Sequence, residues 1–116
     1  MTFMSLNNSA LPWGKWYDYP NKDAEISGPD GTTITYGQIA IAAACGRENS
    51  PSGTEGNFDL YADGTTRIAD IYFDCPWVGS NVLRVTSYST LFLVNVPSIS
   101  SSGAIGDVPV RVIYLG

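Results

Sequence analysis

The sequence predicts an all-β, single-domain β-sandwich, and three observations carry that prediction. The 12 glycines and 7 prolines are spread evenly and cut the chain into pieces of strand length. Several of those pieces alternate with period two. No segment has a convincing helical repeat. At 116 residues the chain is one domain, spanning residues 1–116, and long enough to bury a core without staples.

The clearest alternation is near the end, where Val108, Val110, Val112 and Tyr114 share one face and Pro109, Arg111, Ile113 and Leu115 the other. Ile39, Ile41 and Ala43 form a similar row, and flanking isoleucines with Gly46 favour a strand there over a helix. From Thr66 to Phe73, Arg67, Ala69, Ile71 and Phe73 alternate with Ile68, Asp70 and Tyr72. The stretch Ser80 to Val96 is the longest free of Gly and Pro and is rich in Val, Thr, Ser and aromatics; it is expected to hold two strands turning near Ser87 to Thr90. Pro29-Asp30-Gly31 and Asp63-Gly64 have hairpin-turn composition. Arg47 to Gly56 and Pro97 to Gly106 are expected to be loops.

The charge balance excludes one class of partner. Lys+Arg number 6 against Asp+Glu 11, a formal net charge of −5. Such a surface repels nucleic acid and gains nothing from anionic lipid, so a membrane target would be zwitterionic or neutral. There is no histidine, hence neither the commonest general base nor the commonest zinc ligand. Asp70 and Asp74 share a strand face at about 13 Å, too far apart to work on one bond. No phosphate loop or metal-ligand cluster is present in the sequence, and neither an enzyme, a metal nor a cofactor is expected. Cys45 and Cys75 are expected to be buried free thiols. Met1 to Ser9 has neither positive charge nor an apolar run, so no secretory signal is expected. The protein is expected to be made in the cytoplasm and released by another route, acting at a target-cell membrane. No apolar run reaches the roughly 18 residues of a spanning helix.

The aromatics carry the functional signal. Trp13, Trp16, Tyr17 and Tyr19 cluster early, and Tyr72-Phe73-Asp74-Cys75-Pro76-Trp77 places three rings and a carboxylate in six positions. Trp and Tyr have an apolar body and a polar edge, as a membrane interface requires. Their ring faces attract a choline or ethanolamine ammonium, by on the order of 0.5–2 kcal/mol. Asp74 or Glu55 would strengthen that attraction. The same rings can equally fill a core. Trp16 has the opposite strand parity to Trp13, Tyr17 and Tyr19, so at least one of these rings is expected to face outward. Arg47 and Glu48 are further candidates at a loop mouth.

Six motifs, taken together, resemble the aegerolysin family. They are Trp13-Gly14-Lys15, Lys22 to Ser27, Ala44-Cys45-Gly46-Arg47, Gly53-Thr54-Glu55-Gly56-Asn57-Phe58-Asp59-Leu60, Tyr72 to Trp77, and Ser102 to Gly106. The resemblance covers about residues 5–115. It implies a sandwich of actinoporin type that binds sphingolipid with sterol. It also implies haemolytic or cytolytic toxin activity in concert with a larger perforin-like (MACPF) protein that forms the pore. Family tryptophans that contact lipid match Trp13 and Trp77, and Tyr72 matches an aromatic beside them. Phe73 stands where some relatives have Trp, so lipid preference does not carry over. Typical members begin with an apolar strand ahead of Met1, so the expectation is either a misassigned start or a sandwich that lacks the first edge strand. The expected lipid site is therefore Trp13, Trp16, Tyr72, Phe73, Asp74 and Trp77. Two other readings stay open: a soluble carbohydrate- or small-ligand-binding sandwich using the same aromatic face, and a protein that self-associates through an open edge.

Overall fold

The computed structural model describes residues 2–47, 53–88, 92–95 and 106–116. Among the described residues, ten strands form two five-stranded antiparallel sheets. They are β1 (Met4–Trp13), β2 (Lys15–Asp18), β3 (Asn21–Ile26), β4 (Thr32–Ile34), β5 (Ile39–Cys45), β6 (Gly53–Ala62), β7 (Thr66–Pro76), β8 (Val82–Ser87), β9 (Phe92–Asn95) and β10 (Val108–Tyr114). The first sheet has the order β4-β1-β6-β7-β8 and the second β3-β2-β5-β10-β9. The described residues contain no helix long and apolar enough to cross a membrane.

The alternating rows account for the core. Val108, Val110, Val112 and Tyr114 face inward from β10, and Ile71, Phe73 and Cys75 meet them from β7 with Phe58 and Leu60 of β6. In β5 the inward row is Ala40, Ala42 and Ala44, while Ile39 and Ile41 are exposed and Ala43 is buried on the outer face beside Tyr17 and Cys45. Alanines suit the inner row because the larger Trp16 and the β10 valines already fill that gap.

Ile68 breaks the expected alternation of β7. Leu60 pairs with Ala69 and Tyr61 with Arg67, so Ile68 is an extra, bulged residue. The bulge lets Ile68 join the core while Arg67 stays exposed. Two register shifts on β1, between Asn7 and Ala10 and between Ala10 and Trp13, likewise keep all three residues on the outer face. Asn8 takes a positive φ of 55° at the first shift, and its amide donates to Asp59 and to the Tyr61 hydroxyl.

Several expected connections differ. Asp63-Gly64 does turn the β6–β7 hairpin, both residues at positive φ as a type I′ turn requires. Pro29-Asp30-Gly31 instead carries the chain from β3 in one sheet to β4 in the other. The strands within Ser80 to Val96 are not partners: β8 pairs with β7, and β9 with β10. Gly53 to Gly56 belong to strand β6, not to a loop; residues 48–52 and 96–105, which include Glu48 and most of the second expected loop, lie outside the described residues.

Candidate functional site

The outer face of the first sheet assembles residues far apart in sequence. Trp13 pairs with Glu55, Glu55 with Asp74 and Asp74 with Val82, making one row across four strands. The next row runs from Ala10 through Asn57 and Tyr72 to Arg84. Trp77 follows directly after β7, at the same end of the sheet as Trp13. By strand spacing the two lie about 10 Å across and about 10 Å along from each other.

Trp13 is 52% exposed and Trp77 42% exposed, and Pro12 and Val78 beside them are exposed too. Two tryptophans open to solvent at one end of one sheet form an apolar tip on an otherwise acidic protein. Trp16 and Phe73 are not part of that surface. Trp16 is 6% exposed and Phe73 fully buried, and they meet edge to face inside the sandwich. Gly14 at the start of β2 permits this split. It takes a φ of 109°, and a side chain there would press on the Cys45 carbonyl, so the chain can turn sharply and send Trp13 outward and Trp16 inward.

Behind the tip one of the two carboxylates has an ordered partner. The Tyr72 hydroxyl donates to Glu55 at 2.5 Å. That bond, with some burial, pushes the Tyr72 hydroxyl up to about 12. Asp74 is half-buried, and burial together with the facing Glu55 charge raises its carboxyl above the usual range. Arg84 lies over the Tyr72 ring at 5.2 Å, and Asn57, Asp70, Tyr72, Arg84 and Thr86 line a hollow of about 170 Å³ there. The site thus presents two like charges on adjacent strands, with one phenol donating to one of them. A cation placed between them would relieve their repulsion.

Of the six expected site residues, the structure brings Trp13, Tyr72, Asp74 and Trp77 to one face and end, and places Trp16 and Phe73 in the core. Glu55 and Arg84 belong with the first four. Glu55 was named from the sequence as a carboxylate that would strengthen ammonium binding, within an expected loop; its place on β6 and its partnership with Asp74 depend on the β6–β7 register. Arg47 is held in a bidentate pair by Glu25, at 3.1 and 2.8 Å. Cys45 and Cys75 are buried, lie on different sheets and form no disulfide, and burial raises the Cys45 thiol.

A two-sheet antiparallel sandwich with paired tryptophans at one end defines the structural class. The aegerolysin family profile matches residues 2–114, and the chain belongs to that family. It is 40% identical to Asp-hemolysin of Aspergillus fumigatus over 94% of this chain and 81% of that protein. It is 36% identical to Aegerolysin Aa-Pri1 of Cyclocybe aegerita over 96% of this chain and 81% of that one. Among solved structures it is similar to RahU in complex with a TRIS molecule, with a TM-score of 0.73 and 34% identity, covering 89% of this chain and 77% of that one.

Proposed function

We propose that this protein docks on sphingolipid membranes through the Trp13–Trp77 end of its first sheet and acts there as the binding component of a two-component cytolysin. The observation that carries the proposal is the convergence of two half-exposed tryptophans from different strands on one end. Fully burying a large apolar side chain is worth roughly 1.5–3 kcal/mol, so two partly exposed rings give a weak, reversible hold that headgroup contacts must supplement.

Those contacts come from Glu55 and Asp74. Their facing carboxylates suit the ammonium of a choline or ethanolamine headgroup, next to the Tyr72 ring. The formal charge of −5 gives no general attraction to anionic lipid, which leaves zwitterionic sphingolipid with sterol as the target class. Surface docking supplies no pore, so lysis falls to a larger perforin-like partner recruited to the bound layer. The name of the relative Asp-hemolysin supports a lytic setting. The soluble-carbohydrate reading has less support, because Arg84 already occupies a face of the Tyr72 ring where a sugar would stack.

Co-sedimentation tests the proposal with vesicles of phosphatidylcholine, sphingomyelin/cholesterol and ceramide phosphoethanolamine/cholesterol. Binding confined to the sphingolipid vesicles, and lost in the Trp13→Ala/Trp77→Ala double variant with an unchanged circular dichroism spectrum, is the expected result. Undiminished binding by the folded double variant would overturn it.

A further inference from the structure

The outer face of the second sheet carries an apolar patch. Ile39, Ile113 and Leu93 pair in one row across β5, β10 and β9, and Ile41, Arg111 and Asn95 in the next. Leu115 follows at the end of β10. Ile39, Ile41, Leu93 and Leu115 are exposed and Ile113 is half-buried. The residues that alternate with them, among them Ala40, Ala42, Val112 and Val94, face the core, so these side chains stand on the other side of the sheet. Three strands at the usual spacing make one contiguous aliphatic surface about 10 Å wide.

Arg111 stands in that surface without an acceptor. Its Nε is buried and makes no hydrogen bond, and its guanidinium forms no ion pair among the described residues. The other three arginines each have a partner. Arg47 is held by Glu25, Arg67 donates to the Tyr88 hydroxyl and lies near Asp59, and Arg84 covers the Tyr72 ring. A buried donor left without an acceptor is costly, and an arginine bordered by aliphatic side chains is the composition of an interface anchor.

Charge and position narrow what covers the patch. Lys15, two residues after Trp13, pairs with Cys45 at one end of β5, and Ile39 is at the other end, about 20 Å away by strand rise. The patch also faces outward from the opposite sheet to the one that presents Trp13 and Trp77. A bilayer that holds the tryptophan tip is therefore not its cover. A second copy stacked patch on patch repeats the same residues, none of them acidic, and brings Arg111 no carboxylate. The missing component is an anion carried on an apolar surface.

We propose that the outer face of β5, β10 and β9 docks a partner protein through a segment that sets one carboxylate between aliphatic side chains. The carboxylate pairs with the Arg111 guanidinium, and the aliphatic groups cover Ile39, Leu93 and Ile113. The contact forms in solution and does not depend on the membrane reading above.

The test is a nuclear magnetic resonance titration of the nitrogen-labelled full chain with a capped peptide, acetyl-Ser-Leu-Glu-Leu-Ser-amide, up to about 10 mM, the range of weak single-motif contacts. The same peptide with Gln in place of Glu is the comparison. The variants are Arg111→Gln, Ile39→Ser and, as a control on the other sheet with the same loss of charge, Arg67→Gln. The expected result is that the amides of Ile39, Ile41, Leu93, Arg111 and Ile113 shift together with the glutamate peptide. The Gln peptide and Arg111→Gln should each weaken binding at least about tenfold, Ile39→Ser should weaken it about threefold, and Arg67→Gln should not change it. Absent shifts, shifts confined to other residues, or shifts indifferent to Arg111→Gln would overturn the proposal. Should Arg111→Gln fail to fold, Ile39→Ser, at an exposed position, decides the matter, and unchanged binding there would overturn it. Two further measurements address the other occupants. A monomer–dimer equilibrium in sedimentation velocity that Ile39→Ser abolishes would assign the face to a second copy and overturn the proposal. Binding to phosphatidylglycerol vesicles that Arg111→Gln abolishes would assign it to anionic lipid and overturn it as well.

Discussion

Trp16 of β2 and Phe73 of β7 meet edge to face across the gap between the sheets, with ring centroids 5.8 Å apart and planes at 80°. Both were candidates for the lipid surface, and both instead join the two halves of the sandwich. Phe73→Ala should cost about 3–5 kcal/mol, the usual penalty for truncating a buried ring. Urea unfolding measures it. Any loss of vesicle binding in this variant should track its unfolded fraction.

Gly56 stands inside β6 where the packing leaves no room for a side chain. A Cβ there would come within 2.6 Å of Leu11 Cδ1, 2.8 Å of Phe73 Cζ and 2.9 Å of the Ala10 carbonyl oxygen. Gly56→Ala should lower stability by about 1–3 kcal/mol through overpacking. Gly53→Ala should also destabilise, because its φ is 77° and its Cβ would meet the Cys75 carbonyl oxygen. Thermal melts of the two variants check both.

The Tyr72–Glu55 bond has a pH signature. The Tyr72 hydroxyl is raised from its ordinary 10.0 to about 12 in the fold. Between those values the unfolded chain has released the proton and the folded chain has kept it. This contribution to stability is therefore complete below pH 10 and is lost as the pH climbs towards 12. Near-ultraviolet titration should show one late tyrosine disappear in Tyr72→Phe and move earlier in Glu55→Gln.

Asp74 gives the opposite test, through binding. Its carboxyl is raised by burial and by the facing Glu55 charge, so it takes up a proton earlier on acidification than an ordinary aspartate. If it holds a headgroup ammonium, vesicle binding should weaken as the pH falls through that raised range. Asp74→Asn should show weak binding at neutral pH and a flatter profile. Folding stability should move the other way, since protonation removes a repelling charge.

Cys45 and Cys75 should be slow to react with a thiol reagent in the native protein and both should react in denaturant, because each is buried and the Cys45 thiol is raised. A fast native reaction at either would contradict its placement.

The strands themselves were legible because a half-buried strand writes its burial into every second residue. Val108 to Tyr114 shows this directly, and the family motifs added the expectation of tryptophans at a lipid surface. Asp63-Gly64 was readable as a hairpin turn because two residues at positive φ favour that pair. Pro29-Asp30-Gly31 has similar composition yet joins the two sheets. Turn residues specify a local bend, whereas strand pairing is settled by which apolar faces can be buried together.

Side-chain direction near Trp13 depends on the same distinction. Parity alone placed one ring outward, and it could not say which, because Gly14 interrupts the alternation between β1 and β2. The Glu55–Asp74 pairing depends on the β6–β7 register, and the place of Ile68 on a bulge. Local chemistry thus settled the strands, the tight turn and the aromatic-rich composition. Only the packing of two sheets decided which rings fill the gap between them and which stand in water, because burial is a property of the faces that meet and not of any one residue.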